Sequence, residues 1–300
     1  PDRRAALRAG NVSGAVWAAL SGIGFGLFQS VNRRALRDLD PYVSTFLQLA
    51  TAAVVLGGAC LATEDVSRLG HVSARGLAAF TGAGLLHFLV GWTLLNLSQQ
   101  RIGAARTSPL LATTPLFGLL TAAVLLGQLP SVAALAAIVP IVAGGYLVSG
   151  RGGGGAVLGW RDSSFGLGCA FLWALSPVLV VRGFEELDSP LLGVTIGLLA
   201  SVACYAVALA TRGVSLRSTA RESLALKLVA GVLVALATWT RWISLGDASV
   251  AVVLALAMLS VPVVLFVAPL LSGRHLERVT VRVWAGSALV VAGALVLILR

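Results

Sequence analysis

Apolar residues along this chain run in blocks long enough to cross a lipid bilayer. No Asp, Glu, Lys or Arg interrupts residues 9 to 32, 41 to 63, 76 to 100, 107 to 150, 163 to 181, 189 to 211, 248 to 273 or 283 to 299. One crossing needs roughly 17 to 25 apolar residues, so most blocks hold one helix. The block from 107 to 150 holds two, with Gly127-Gln128-Leu129-Pro130 as the turn. A further span, 224 to 246, is read as interrupted by a lone charge, Arg241, with Lys227 counted among the loop cations. The spans drawn are 14–32, 41–63, 76–98, 103–127, 131–149, 164–184, 190–211, 224–246, 248–272 and 281–299. The expected fold is all-α: a polytopic membrane protein of ten transmembrane helices.

Composition agrees. Of 300 residues 58% are hydrophobic and 11% charged, and the mean hydropathy is +0.94, against a charged share of about 25% in soluble domains. The formal charge of +10 does not point to nucleic acid, because the basic residues are scattered through short loops. Anionic lipid headgroups are the expected partners, each basic side chain near the surface contributing about 1 kcal/mol. Cys60, Cys169 and Cys204 fall inside apolar spans without metal-like spacing and read as small packing residues. The first apolar stretch follows Arg3, Arg4 and Arg8 as in a signal peptide, but exceeds the usual core of about 7 to 15 residues and is expected to stay as a helix.

The low-complexity stretch Gly150-Arg151-Gly152-Gly153-Gly154-Gly155 suits a flexible hinge. It divides the chain into a first repeat, 1–149, a linker, 150–163, and a second repeat, 164–300. Pro41 answers to Pro190 at an offset of 149, Ser98 to Ser244 at 146 and Pro115 to Pro262 at 147. Five spans per copy force the second copy to enter the membrane upside down. Inverted repeats of this kind are the plan of many secondary transporters, with the substrate cavity near the midplane where the copies meet. Gly22, Gly24, Gly26, Gly166 and Gly168 offer small surfaces for close helix approach. Pro109, Pro115, Pro177, Pro262 and Pro269 free backbone groups within spans, and Pro115 and Pro262 are the expected hinges.

The sequence resembles the drug/metabolite transporter superfamily, and within it the ten-helix EamA-type exporters. In the first half the resemblance rests on Gly103-Ala104-Ala105, Thr113-Thr114-Pro115-Leu116-Phe117 and Leu125-Leu126-Gly127-Gln128. In the second it rests on Trp173 followed by Ser176, Ser249-Val250-Ala251, Leu259-Ser260-Val261-Pro262 and Ser272-Gly273-Arg274. Gly127-Gln128 and Gly273-Arg274 stand where the family often has Gly-Glu, and Gly24 stands where the first helix often carries Trp. The resemblance implies export of small metabolites, amino acids among them, across a bacterial-type inner membrane, with Trp173 as a cavity wall.

Polar side chains at membrane depth are the candidate chemistry, since a buried charge costs at least about 2.5 kcal/mol there and usually faces a cavity or a partner. His87 sits midway along the third span; it is either a neutral imidazole bonded between helices or a substrate or proton contact. Arg241 is either a snorkelling surface anchor or a site residue. Thr238, Arg241, Trp242 and Leu245 share one helical face, and a guanidinium beside an indole can clamp a carboxylate bidentately. Further polar stripes are Phe25, Gln29 and Asn32; Ser44, Gln48 and Thr51; and Trp92, Asn96 and Gln99. The expected substrate-binding set is His87, Trp92, Gln48, Trp173, Thr238, Arg241 and Trp242. Trp17, Trp160 and Trp284 read as interfacial anchors.

No Asp or Glu falls inside a drawn span except Asp247 at an end, so a carboxylate proton relay is not expected. If transport is proton-coupled, His87 is the only central titratable group, and gradient-driven efflux is the equal alternative. No phosphate loop, His-Glu-x-x-His motif or paired intramembrane carboxylates occur, so neither an enzyme nor a cofactor or metal is expected. Loops on the N-terminal side carry seven basic residues and those opposite carry fourteen. Charge asymmetry then places the termini outside, whereas the resemblance implies the cytoplasm. The expectation is a carrier exporting amino acids or similar zwitterions by alternating access, with amphipathic drugs or nucleobase-like compounds as the alternative cargo and the oligomeric state left open.

Overall fold

A computed structural model describes residues 3–126, 132–149, 160–212, 221–248, 250–273 and 277–299, and among these the regular elements are helices with no strand. The expected turn at Gly127-Gln128-Leu129-Pro130, the Gly-rich stretch 150–155 and Arg274 lie outside the described residues. The first half comprises α1 (Arg3–Ala35), α2 (Pro41–Thr63), a 3-10 turn (Val66–His71), α3 (Ala74–Gly84), a π-type stretch (Leu85–Gly91), α4 (Trp92–Ile102), α5 (Ala104–Leu111), α6 (Thr114–Leu126) and α7 (Val132–Ser149). The second comprises α8 (Trp160–Phe184), α9 (Pro190–Arg212), α10 (Arg221–Asp247), α11 (Val250–Ala257), α12 (Ser260–Ser272) and α13 (Val281–Leu299).

Among the described residues, seven segments are long and apolar enough to cross a membrane, and two shorter apolar helices, Leu135–Val148 and Val281–Val296, accompany them. Of the ten spans drawn, the first three and the sixth to ninth coincide with the seven long segments and the fifth and tenth with the two shorter helices, while the fourth corresponds to α5 and α6. Outward-facing apolar side chains such as Val54, Leu61 and Leu270, each about three-quarters exposed, need a hydrocarbon surround.

Corresponding helices begin alike. The Asp40 carboxylate accepts from the backbone N–H of Tyr42 at 2.9 Å and of Val43 at 3.1 Å, with Pro41 as the first residue of α2. Ser189 Oγ accepts from Leu192 N–H at 3.2 Å, with Pro190 opening α9. A cap followed by Pro satisfies orphan donors and omits one that would have no partner, and both helices run 23 residues.

The halves interleave. Helix α1 packs along α10 and against α11 and α12; α8 packs along α3, the π-type stretch and α4, and against α5 and α6. Helix α2 meets α9, and α7 meets α13. All five glycines singled out in the first helix of each half sit at such contacts. A Cβ on Gly24 would come within 3.0 Å of Ala237 Cβ, on Gly26 within 2.6 Å of Val263, on Gly166 within 3.0 Å of Leu110 and on Gly168 within 3.2 Å of Leu94, while on Gly22 it would meet the Leu256 carbonyl. Of the cysteines, Cys60 and Cys169 are buried as expected, but Cys204 points outward from α9 and packs into no core. Trp284 is also surface-exposed, against Phe266 at 5.0 Å.

The closest approach joins Gly84, at the end of α3, to the backbone of Gly197 in α9. Gly84→Ala forces a methyl group against main chain that cannot rotate away. The expected loss is about 1–3 kcal/mol, the usual overpacking cost, read as a lowered midpoint of thermal unfolding in detergent, whereas Gly58→Ala, inside α2 where an added Cβ meets nothing within 4 Å, raises the midpoint slightly, as Gly→Ala does in an open helix interior.

Candidate functional site

Two helices break inside the bundle, and the breaks face one cleft. Between α5 and α6, Thr113 Oγ1 donates to the Leu110 carbonyl and Thr114 Oγ1 to that of Leu111, both at 2.6 Å. Between α11 and α12, Ser260 Oγ donates to the Ala257 carbonyl at 2.8 Å, and the N–H groups of Met258 and Leu259 close back onto Ala255 and Leu256 at 3.1 Å. Hydroxyls thus satisfy carbonyls that lost their helical partners, as backbone at membrane depth demands. Pro115 and Pro262, the expected hinges, fall in the first turn of α6 and of α12, where a missing N–H is harmless.

The cleft is lined by Leu111, Ala112 and Thr114 at the first break and by Leu254, Ala257, Met258 and Ser260 at the second. Phe25 and Gln29 of α1, Trp173 of α8 and Arg241 of α10 complete it. About 30 Å³ is open to the centre of a water molecule. One water needs about 10–15 Å³ by that measure, so the cleft admits a few waters and must widen for a metabolite. Arg241 is 6% exposed, and among the described residues no carboxylate pairs with it. It turns inward to the cleft rather than outward to the interface.

Of the remaining sequence-derived site residues, His87 stands behind the cleft wall. Its ring stacks on Trp173 with centroids 4.8 Å apart at 8°, and Nδ1 lies 2.9 Å from Ser176 Oγ. Within the π-type stretch, the His87 carbonyl accepts from Trp173 Nε1 at 3.3 Å. Single π turns recur at functional positions; this one fixes the indole that faces the cleft. Trp242 does not line the cleft beside Arg241. It stacks with Phe80 at 5.9 Å and Phe88 at 6.4 Å, because residues one position apart diverge by about 100°. Trp92 is buried beside Phe88 at 5.0 Å, and Thr238 is fully buried with its hydroxyl unpartnered.

Gln48 belongs to a second centre that the charge reading passed over. Lys227, assigned above to a loop, is 0% exposed, so the eighth span carries two charges rather than one. Its ammonium donates to Gln48 Oε1 at 2.7 Å and to Asn32 Oδ1. Asn32 Nδ2 in turn donates to Asn96 Oδ1 and Gln99 Oε1, both at 2.8 Å, and Gln99 Nε2 reaches Gln29 Oε1 at 3.5 Å. The polar stripes of α1, α2 and α4 were legible one by one; the cation that joins them was hidden by lying three residues inside a span boundary.

Glu277 was equally invisible. It lies between the ninth and tenth drawn spans, yet its side chain is 1% exposed. Its carboxylate accepts from Arg33 Nε at 2.7 Å and from the N–H groups of Ala104 at 3.1 Å and Ala105 at 2.9 Å, the first turn of α5. Gly103, at φ 82, makes the left-handed turn that bares those amides, and the helix N-terminus favours the negative charge. The loop after α12, the end of α1 and the start of α5 are so tied at one end of the bundle.

Residues 12–150 match the model of the EamA-like transporter family. The chloroplastic phosphoenolpyruvate/phosphate translocator 1 of Arabidopsis thaliana is 30% identical over 123 residues, 41% of this chain and 29% of that protein, so the match spans less than a third of that relative's length. A solved crystal structure covers 93% of this chain and 95% of its own at a TM-score of 0.62 and 23% identity, a likeness of fold alone. The apolar helices and the family match over residues 12–150 support a multi-pass membrane protein.

Removing one partner of a buried ion pair strands the other. Glu277→Ala should therefore lower stability by about 3–5 kcal/mol, measured by thermal unfolding in detergent, and the double variant Glu277→Ala, Arg33→Ala should recover part of that loss.

Proposed function

We propose that this protein is an inner-membrane carrier, built as two inverted five-helix repeats of ten spans, that exports small metabolites, amino acids foremost, by alternating access. The observation that carries the proposal is the meeting of two broken helices at one cleft into which a buried arginine points. Discontinuous helices at the junction of two repeats are how many carriers expose polar backbone to cargo at the bilayer midplane. The packing supports the symmetry. Helix α1 with α10, α11 and α12 corresponds to α8 with α3, α4, α5 and α6, while α2 with α9 and α7 with α13 pair like with like. A two-fold relation between the halves is compatible with this pairing.

In this reading Arg241 clamps the cargo's carboxylate bidentately, Phe25 and Trp173 hold its apolar portion, and Gln29, Thr114 and Ser260 supply neutral hydrogen bonds. His87 acts through Trp173, which it stacks on, and Gln48 acts at the Lys227 centre. Among the described residues, the only charged group that lines the cleft is Arg241, which favours gradient-driven efflux over proton exchange. Phosphoenolpyruvate and phosphate, named for the translocator relative, are anions too, so an acidic group is the feature a cleft arginine selects in either case.

Arg241→Ala should lower efflux of labelled phenylalanine from proteoliposomes at least about tenfold, the loss of a charge-assisted bond of roughly 1.5–3 kcal/mol, without changing cellular tolerance to amphipathic drugs. Loss of drug tolerance with amino-acid efflux intact would instead assign the cleft to drugs. Efflux at the same rate with and without an imposed pH gradient is expected; acceleration by the gradient would restore proton coupling.

A further inference from the structure

Two buried cations on one helix, neither paired with an acid, call for a negative charge from elsewhere. Lys227 and Arg241 are fourteen residues apart on α10, about 21 Å of helix rise and within about 40° of the same face. That face lies along α1, where Ser21 Oγ donates to the Ala237 carbonyl at 2.8 Å. Among the described residues, amide oxygens are the acceptors around Lys227, from Asn32 and Gln48, and no carboxylate pairs with either cation. Burying uncompensated charge is costly in lipid, and two stacked cations repel a cationic cargo.

Unused donors surround the lysine. Gln48 Nε2 and Ser44 Oγ, one turn apart on α2, are fully buried without partners, and the ammonium has a third N–H to give. The amide row Asn32, Gln99 and Gln29 connects this centre to the cleft, since Gln29 is also a lining residue. Each primary amide carries two N–H donors; those of Asn32 and Gln99 now serve neighbours, and all three amides could turn to a passing anion.

We infer that α10 holds two successive stations for one anionic group of the cargo, Arg241 in the cleft and Lys227 with Gln48 and Ser44 beyond it, linked by the Gln29–Gln99–Asn32 amide row. The inference rests on the carrier reading and narrows its cargo to compounds bearing a carboxylate or phosphate. Opposite openings of the bundle expose one station each. Arg241 receives the anion at the end where Ser13 Oγ donates to the Asp247 carboxylate at 3.2 Å, and Lys227 releases it at the end where Arg33 and Glu277 close the bundle.

The full chain tests this in two measurements. Thermal protection in detergent by phenylalanine, and separately by inorganic phosphate, reads binding; counterflow of the same labelled compound in proteoliposomes reads passage. At least one of the two should protect the wild type, and which one does separates carboxylate from phosphate cargo. Arg241→Gln should abolish that protection, whereas Lys227→Gln should keep it within about twofold in apparent affinity and lower counterflow at least about tenfold. Gln48→Glu sets a resident carboxylate against Lys227, so it should raise the unfolding midpoint yet cut counterflow. Wild-type counterflow in Lys227→Gln overturns the hand-over and leaves the carrier reading standing. Should Lys227→Gln not fold, a raised midpoint with unchanged counterflow in Gln48→Glu makes Lys227 a structural pin and overturns the proposal equally. Protection by neither compound overturns the anionic cargo. Protection without counterflow in the wild type removes the carrier reading, and the hand-over with it.

Discussion

Backbone amides and carbonyls have no water to turn to inside a bilayer, and each one left unpaired costs several kcal/mol. That constraint shapes the whole molecule. It makes the described elements helical, and it makes any interruption of a helix an event that the neighbourhood must repair. Here the repairs are hydroxyls of Thr113, Thr114 and Ser260 folded back onto the carbonyls they follow. The interruptions need not face lipid because each borders the cleft. Polar backbone, polar side chains and a small wet space are thus confined to one place by one energetic requirement.

Charge is subject to the same constraint and is handled in two ways. At the Arg33 end, the buried Glu277 is matched by a guanidinium and by the first amides of α5, so the ion pair closes three chain segments onto one another. Deeper in the bundle, Lys227 is held by neutral amides, and among the described residues no acid pairs with Arg241, which faces the cleft. The first arrangement is self-contained and stabilises a closed end. The second leaves a guanidinium facing open space, and the proposed carrier reading rests on that difference. Around both, glycine surfaces on α1 and α8 bring helices of opposite halves close enough for short polar side chains to meet.

Much of the fold could be read in the linear chain. Uninterrupted apolar blocks gave the helices, and Pro41 and Pro190 at matching offsets marked equivalent starts. Pro115 and Pro262 marked the two places where helices break. The breaks themselves were drawn as continuous spans because composition does not change across Ala112-Thr113 or Met258-Leu259, and a helix interruption there is paid for by local hydroxyl bonds rather than by polarity in the run. His87, Trp173 and Arg241 drew attention as polar or aromatic groups at depth. Trp242 did so through its neighbour, yet points away from the cleft.

Sequence alone determined the membrane as solvent, the helical class and the residues too polar for lipid, because these follow from hydropathy and spacing, which are local properties. Tertiary structure alone decided that Lys227 is buried, that Glu277 leaves its loop to cap α5, that His87 supports Trp173 and that the two breaks share a cleft. Each of these depends on which helices become neighbours, and a side chain's partner, unlike its polarity, is set by residues tens to hundreds of positions away.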